Sequence, residues 1–105
     1  AIEANGMLFI SGQVPVNPQT GQIPEGIEAQ TEQVMKNIEA ILTEAGYGFK
    51  NVIKSTCLLS DMAHFKAMNE VYAKYYPTEA PARAAFAVKG LPLGALVEIE
   101  TIAVK

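Results

Sequence analysis

The chain has 105 residues, of which 50% are hydrophobic and 18% are charged. A chain of this length is one domain, and this apolar and weakly charged composition excludes an intrinsically disordered protein. No apolar run approaches the roughly 20 residues of a membrane-spanning helix. The net charge of −3, from 8 basic and 11 acidic residues, argues against a nucleic-acid-binding surface, which needs clustered Lys and Arg.

The cysteine and histidine content limits the chemistry further. The single cysteine, Cys57, excludes an internal disulfide, and the single histidine, His64, argues against a Cys/His zinc site. The first residues, AIEANGMLF, have neither the basic start nor the apolar core of a signal peptide. We therefore expect a soluble, cytoplasmic protein with no membrane association and no metal.

The first half of the chain predicts a hairpin, a loop and a helix. Residues 1–13 form the predicted hairpin because Asn5-Gly6 supplies the two positive φ angles of a type I′ turn. Three prolines between residues 12 and 25 predict a loop. From residue 26 to 45, apolar residues recur every three or four positions and predict a helix, with Gly46 as its left-handed cap. The opposite helix face, which carries Glu28, Gln30, Glu32, Lys36 and Glu39, is predicted to be solvated.

The second half predicts three strands and one helix. Residues 52–59 are rich in β-branched side chains and predict a strand. Ser60 or Asp61 then caps a predicted helix over residues 62–76, with Phe65, Met68, Tyr72 and Tyr75 facing inward. The stretches 83–88 and 96–104 predict the last two strands. The resulting order, β-β-α-β-α-β-β, predicts an α+β fold with a single mixed sheet and both helices packed on one face.

The last predicted strand has two faces that are both substantially apolar. Val97, Ile99, Thr101 and Ala103 share one face, whereas Leu96, Glu98, Glu100, Ile102 and Val104 share the other. If the helices cover the first face, the second leaves apolar side chains around two carboxylates exposed in a monomer. We therefore expect a homo-oligomer that is built sheet face to sheet face.

Few residues are candidates for chemistry. Cys57 lies within a strand and is interpreted as a small buried hydrophobe, and His64 as a surface residue at a helix start. No glycine pattern of a nucleotide-binding loop is present. Arg83 and Glu98 leave two alternatives open, since each fits an ordinary surface or interfacial ion pair. At a partly dry subunit seam, they would instead bind a small acid and orient a water molecule.

Four stretches of the sequence resemble the RidA family: SGQVPVNPQTGQIP (11–24), NEVYAKYY (69–76), PARAAF (81–86) and LPLGALVEIETIAV (91–104). The resemblance covers the whole chain, 1–105, as a single RidA-like domain. It implies a chorismate-mutase-like fold and a homotrimer whose sheets form a barrel core, with a cleft at each subunit interface. Many members are 2-iminobutanoate/2-iminopropanoate deaminases, which hydrolyse reactive imino or enamino acids to 2-oxo acids and ammonia without a metal or organic cofactor.

The resemblance also implies roles for individual residues. Arg83 matches the arginine that binds the substrate carboxylate, and Glu98, the first acid of VEIE, matches the glutamate that holds the attacking water. Ser11, Gly12 and Asn69 match positions that line the substrate pocket, as does the backbone around Ala85.

Two departures from the family pattern stand out. Ala84-Ala85 replaces a segment in which members often carry a cysteine. The family's G-P-Y segment, with its pocket tyrosine, falls upstream of residue 1, so that either an N-terminal segment is missing or the pocket lacks one wall.

Two other functions remain as alternatives to the deaminase. Some relatives are non-catalytic regulatory proteins that bind small metabolites, and some are described as ribonucleases or translation inhibitors. The net charge of −3 argues against a ribonuclease. The presence of both Arg83 and Glu98 favours the deaminase, because a protein that only binds carboxylates needs the arginine but not the acid.

Overall fold

The computed structural model describes residues 1–105 as one five-stranded mixed sheet with two helices. The strands are β1 (Ile2–Ala4), β2 (Met7–Gln13), β3 (Val52–Leu59), β4 (Ala82–Ala87) and β5 (Val97–Val104), and the helices are α1 (Ile27–Ala45) and α2 (Phe65–Lys74). The strand order is β1-β2-β5-β3-β4. Only β3 and β4 pair in parallel, because α2 carries the chain back between them. The predicted element order and the mixed sheet are confirmed.

The turns follow the local sequence rules. Asn5 and Gly6 have φ angles of 52° and 77°, and Ala4 pairs with Met7 across the turn, as a type I′ hairpin requires. Gly46 ends α1 in the left-handed region with φ 83°, and its N–H donates to the carbonyl of Thr43 at 3.1 Å.

The second helix is shorter than the sequence predicts. Asp61, and not Ser60, provides the cap, because its carboxylate accepts the N–H of Ala63 at 2.8 Å. The capped segment is a 3₁₀ turn over Met62–His64, and α2 begins only after it. Neither helix of the protein is long and apolar enough to cross a membrane.

The polar face of α1 differs from the prediction at two positions. Gln30 is buried, and its side-chain oxygen accepts the backbone N–H of Leu96 at 2.8 Å. Glu32 is half-buried and accepts a hydrogen bond from the Tyr75 hydroxyl. The prediction of a wholly solvated face was wrong here, because the loop before β5 and the end of α2 fold back against it.

The two faces of the sheet differ as predicted. Both helices pack on the face that carries Val97, Ile99, Thr101 and Ala103 of β5, all of which are buried. The opposite face, called the open face below, carries Glu98, Glu100, Ile102 and Val104, together with Phe9 and Phe86, which are 42% and 47% exposed. Leu96 lies just before β5. Pairing of the open face with another subunit stays a prediction.

Candidate functional site

Arg83 is the only arginine of the chain, and it lies on the face of the sheet that the helices cover. It is the second residue of the edge strand β4 and pairs in register with the buried Ser55 of β3. Its Nη1 donates to the side-chain oxygen of Asn69 on α2 at 2.5 Å. The structure therefore brings together two of the residues that the resemblance assigns to the site, and the partner of the arginine is an amide.

Two aromatic rings of α2 enclose the same guanidinium. Its Cζ atom lies 4.9 Å from the centroid of the Tyr72 ring and 5.4 Å from that of the Phe65 ring. Both distances are within the range of cation–π attraction. The apolar pattern of the helix predicts these two residues only as core positions. Phe65, Asn69 and Tyr72 are spaced at i, i+4 and i+7 and therefore share one face of α2. This spacing is the signal in the sequence that the three side chains can contact the same residue.

A cavity of about 300 Å³ opens beside Arg83, between α2 and the start of β4. Its wall combines the guanidinium and the Asn69 amide with the rings of Tyr72 and Tyr76 and with Pro81. One cationic donor group in a mainly apolar wall suits a small acid with a short apolar chain.

Glu98 lies on the open face, next to a bulge in β2. Ile10 pairs with Thr101 and Gln13 pairs with Ile99, so that Ser11 and Gly12 together lie opposite the single residue Glu100. A Cβ atom added to Gly12 would lie 1.9 Å from Oε2 of Glu98. The bulge therefore brings the backbone of Gly12 directly against the Glu98 carboxylate, with the exposed Ser11 beside it.

Arg83 and Glu98 are not brought together within one chain. Arg83 pairs with Ser55 and Glu98 with Leu58, three residues further along β3, so the two side chains point to opposite faces of the sheet. At the usual spacing of about 4.8 Å between strands and about 3.3 Å per residue along a strand, their Cα atoms are roughly 14 Å apart. Ala85 lies on the same face as Arg83, in register with Cys57.

Cys57 is a buried packing residue, as predicted. Its side chain has no exposed surface. Burial raises the pKa of its thiol to about 11, and the positive charge of Arg83 offsets part of that rise. The thiol is therefore protonated at neutral pH and is a poor nucleophile.

Four buried hydroxyl groups have no hydrogen-bond partner in the protein; they belong to Ser55, Tyr72, Tyr76 and Thr101. Burial raises the pKa values of Tyr72 and Tyr76, and the nearby Ser55 hydroxyl opposes part of that rise. No group of three or more His, Cys, Asp or Glu side chains is placed to hold a metal ion.

Comparisons with known proteins agree on one family. The family model described as endoribonuclease L-PSP matches residues 1–105. A RutC family protein of Pyrococcus horikoshii is 53% identical, over 100% of this chain and 84% of its own length. The mouse protein named 2-iminobutanoate/2-iminopropanoate deaminase is 45% identical, over 100% of this chain and 78% of its own.

A solved structure gives the same result for the fold. The crystal structure of Escherichia coli TdcF with bound serine has a TM-score of 0.95 and 36% identity, and the match covers 99% of this chain and 85% of that one. The match to the family model over the whole chain, the identities of the relatives and the shared fold lead to one conclusion. The chain belongs to the RidA family, whose model is described as endoribonuclease L-PSP.

Proposed function

We propose that this protein hydrolyses small reactive 2-imino and enamino acids, such as 2-iminobutanoate and 2-iminopropanoate, to 2-oxo acids and ammonia. The proposal rests on two charged groups that the fold holds in place. Asn69 holds the Arg83 guanidinium beside a cavity, and the Glu98 carboxylate lies against the bulge at Gly12. The mouse relative that bears the deaminase name supports the same reaction class.

Arg83 binds the substrate carboxylate in this proposal. A guanidinium has five N–H donors in a fixed plane, and the bond to Asn69 uses one of them. The remaining donors include a pair that can bind both oxygens of a carboxylate at once, which a lysine ammonium cannot do with the same geometry. The apolar part of the cavity wall then accommodates a short aliphatic side chain.

Glu98 activates the water. Its carboxylate accepts a proton as the water oxygen forms a bond to the imine carbon. The proton is then passed to the nitrogen of the tetrahedral adduct. As the C–N bond breaks, the hydroxyl of the adduct loses its own proton and becomes the carbonyl of the 2-oxo acid, and the ammonia leaves as ammonium after taking up that proton. One water is consumed for each imine, and a protonated imine is electrophilic enough for orientation and one base to suffice.

Because Arg83 and Glu98 lie on opposite faces of one sheet, the proposed site combines Arg83 of one subunit with Glu98 of another. The open face, with Phe9, Phe86, Ile102 and Val104, provides apolar surface for that contact. We propose the homotrimer of the family resemblance as the assembly. Sedimentation at micromolar concentration tests it, and a monomer would contradict both the trimer and the shared site.

A subunit-mixing experiment tests the function and the shared site together. Threonine dehydratase supplies the imine, and the release of 2-oxobutanoate is followed. Arg83→Ala and Glu98→Gln should each be nearly inactive. When the two variants are unfolded, mixed equally and refolded, random assortment restores both residues at about one site in four, so about a quarter of the wild-type activity should return.

The other outcomes identify the alternatives. If trimers that contain both variants recover no activity, either one subunit supplies both residues to a site, or the two residues take no part in the reaction. A wild-type protein that binds 2-oxobutanoate tightly, yet does not accelerate its release from the imine, would be a metabolite-binding regulatory protein.

A further inference from the structure

We propose that Phe65 and Tyr72 are positioning residues that hold the Arg83 guanidinium in its binding orientation before any ligand arrives. This inference rests on the proposed function in one respect, namely that Arg83 binds the ligand carboxylate. It assigns to the aromatic face of α2 a role in ligand affinity in addition to its place in the core.

Three side chains of one helix, α2, contact the Arg83 guanidinium. Asn69 accepts from Nη1 at 2.5 Å, and the rings of Tyr72 and Phe65 lie 4.9 Å and 5.4 Å from Cζ. These three residues form one stripe of α2, so a single rigid element fixes the guanidinium. An arginine side chain without such contacts samples many rotamers and loses that freedom when it binds a ligand.

The ring of Tyr72 is itself held by further rings. Its centroid lies 4.9 Å from that of Tyr76, which packs edge-on against Phe49 at 5.5 Å. Tyr72 is only 4% exposed, and its hydroxyl has no hydrogen-bond partner in the protein. The ring of Tyr72, and not its hydroxyl, therefore makes the contact with Arg83. Phenylalanine should be able to replace Tyr72 because it keeps that ring.

Because Arg83 is the only arginine, every arginine side-chain signal in the NMR spectrum belongs to it. In the wild-type protein, ring currents should shift these signals away from the positions of free arginine, and rotation about the Cζ–Nε bond should be slow. Tyr72→Leu should move the signals toward the positions of free arginine.

The same variant should bind the product less tightly. Its affinity for 2-oxobutanoate, measured by calorimetry, should fall about five- to tenfold. KM for the imine should rise similarly while kcat changes less than twofold.

Two variants separate positioning from general damage to the core. Tyr72→Phe keeps the ring and should restore both the NMR shifts and the affinity. Tyr75→Leu is the matched control, because Tyr75 packs on Phe49 and bonds to Glu32 rather than to Arg83. This control should lower the thermal midpoint without weakening 2-oxobutanoate binding. If Tyr72→Leu does not fold, Phe65→Leu replaces it, since Phe65 is only half-buried.

The proposal is overturned if a folded Tyr72→Leu or Phe65→Leu protein keeps the wild-type Arg83 signals, or shows those signals shifted with unchanged 2-oxobutanoate affinity. Failure of the proposed function is a different result. If the wild-type protein does not bind 2-oxobutanoate, Arg83 is not a carboxylate site, and the assignment of a positioning role for ligand binding is overturned even where the ring-current shifts are present.

Discussion

The Glu98 carboxylate occupies the space that any side chain at position 12 would need. A Cβ atom at Gly12 would lie 1.9 Å from Oε2 and 2.9 Å from Cδ of Glu98. The bulge in β2 creates this contact, because it places Ser11 and Gly12 opposite one residue of β5. A substitution at position 12 would therefore displace the carboxylate, which is at the end of a flexible side chain, more readily than the strands.

Gly12→Ala should act as a catalytic defect with little loss of stability. We expect turnover of the imine to fall by about 10²-fold, because the displaced carboxylate no longer meets the water, whereas the free energy of unfolding should change by less than about 1 kcal/mol. Gly90→Ala is the control, since a Cβ at Gly90 would meet no atom within 4 Å other than those of its own residue and its chain neighbours. Steady-state kinetics and urea unfolding of both variants check this. Equal turnover in the two variants would show that the Glu98 carboxylate takes no part in the reaction.

Arg83 and Glu98 should give different defects when each is replaced conservatively. Arg83→Lys keeps the charge but loses the paired donors, so the affinity for 2-oxobutanoate should fall by about ten- to a hundredfold. Glu98→Gln should leave that affinity nearly unchanged and lower kcat by about 10²-fold or more. Calorimetry and the coupled assay measure the two quantities. A Glu98→Gln protein with the parent rate would show that the acid is structural.

Local sequence rules predicted the parts of the fold that depend on few neighbours. Asn5-Gly6 determines its turn through backbone preference alone, and the strand over residues 52–59 was predicted with the bounds that it has. Gln30 could not be placed in this way, because its partner, the N–H of Leu96, is 66 residues away in the sequence.

The sequence pattern also does not predict that Arg83 and Glu98 lie on opposite faces of the sheet. The segment ARAAFA of β4 has small residues on both faces, so alternation does not show which side of the sheet the arginine takes. Parallel pairing with β3 decides it, by aligning Arg83 with the buried Ser55. For the same reason, the rings of Phe65 and Tyr72 were predicted as core residues but not as neighbours of the guanidinium.

Stability should fall at alkaline pH because of Cys57. The pKa of its thiol is about 11 in the folded protein against an ordinary value of 9.0, so between these values the native state binds more protons than the unfolded chain. Stability is therefore complete below pH 9 and decreases as pH rises toward 11, by about 1.4 kcal/mol per pH unit at most for one group. Urea unfolding of wild type and Cys57→Ala from pH 7 to 11 measures this. The variant should show a shallower decrease, and parallel curves would contradict the assignment.

Thr101→Val should stabilise the protein. The side chain is 1% exposed and its hydroxyl has no partner in the protein, so an apolar side chain of the same shape should raise the free energy of unfolding by about 1 kcal/mol. Thr31→Val is the matched control, since Thr31 is equally buried but donates to the carbonyl of Ile27 at 2.7 Å. The control should be less stable than wild type. If Thr101→Val were destabilised as much as Thr31→Val, its hydroxyl would have to have a partner, such as an ordered water.

The strand order β1-β2-β5-β3-β4 has a consequence for the synthesis of the chain. β5 follows all the other strands in the sequence, yet it lies in the middle of the sheet, between β2 and β3. While the ribosome is still translating the segment before residue 97, each of these two apolar strands lacks the neighbour that will pair with it. Such unpaired edges are prone to aggregation. The sheet therefore closes only after β5 has left the exit tunnel, and until then β2 and β3 each present an unpaired edge to other chains.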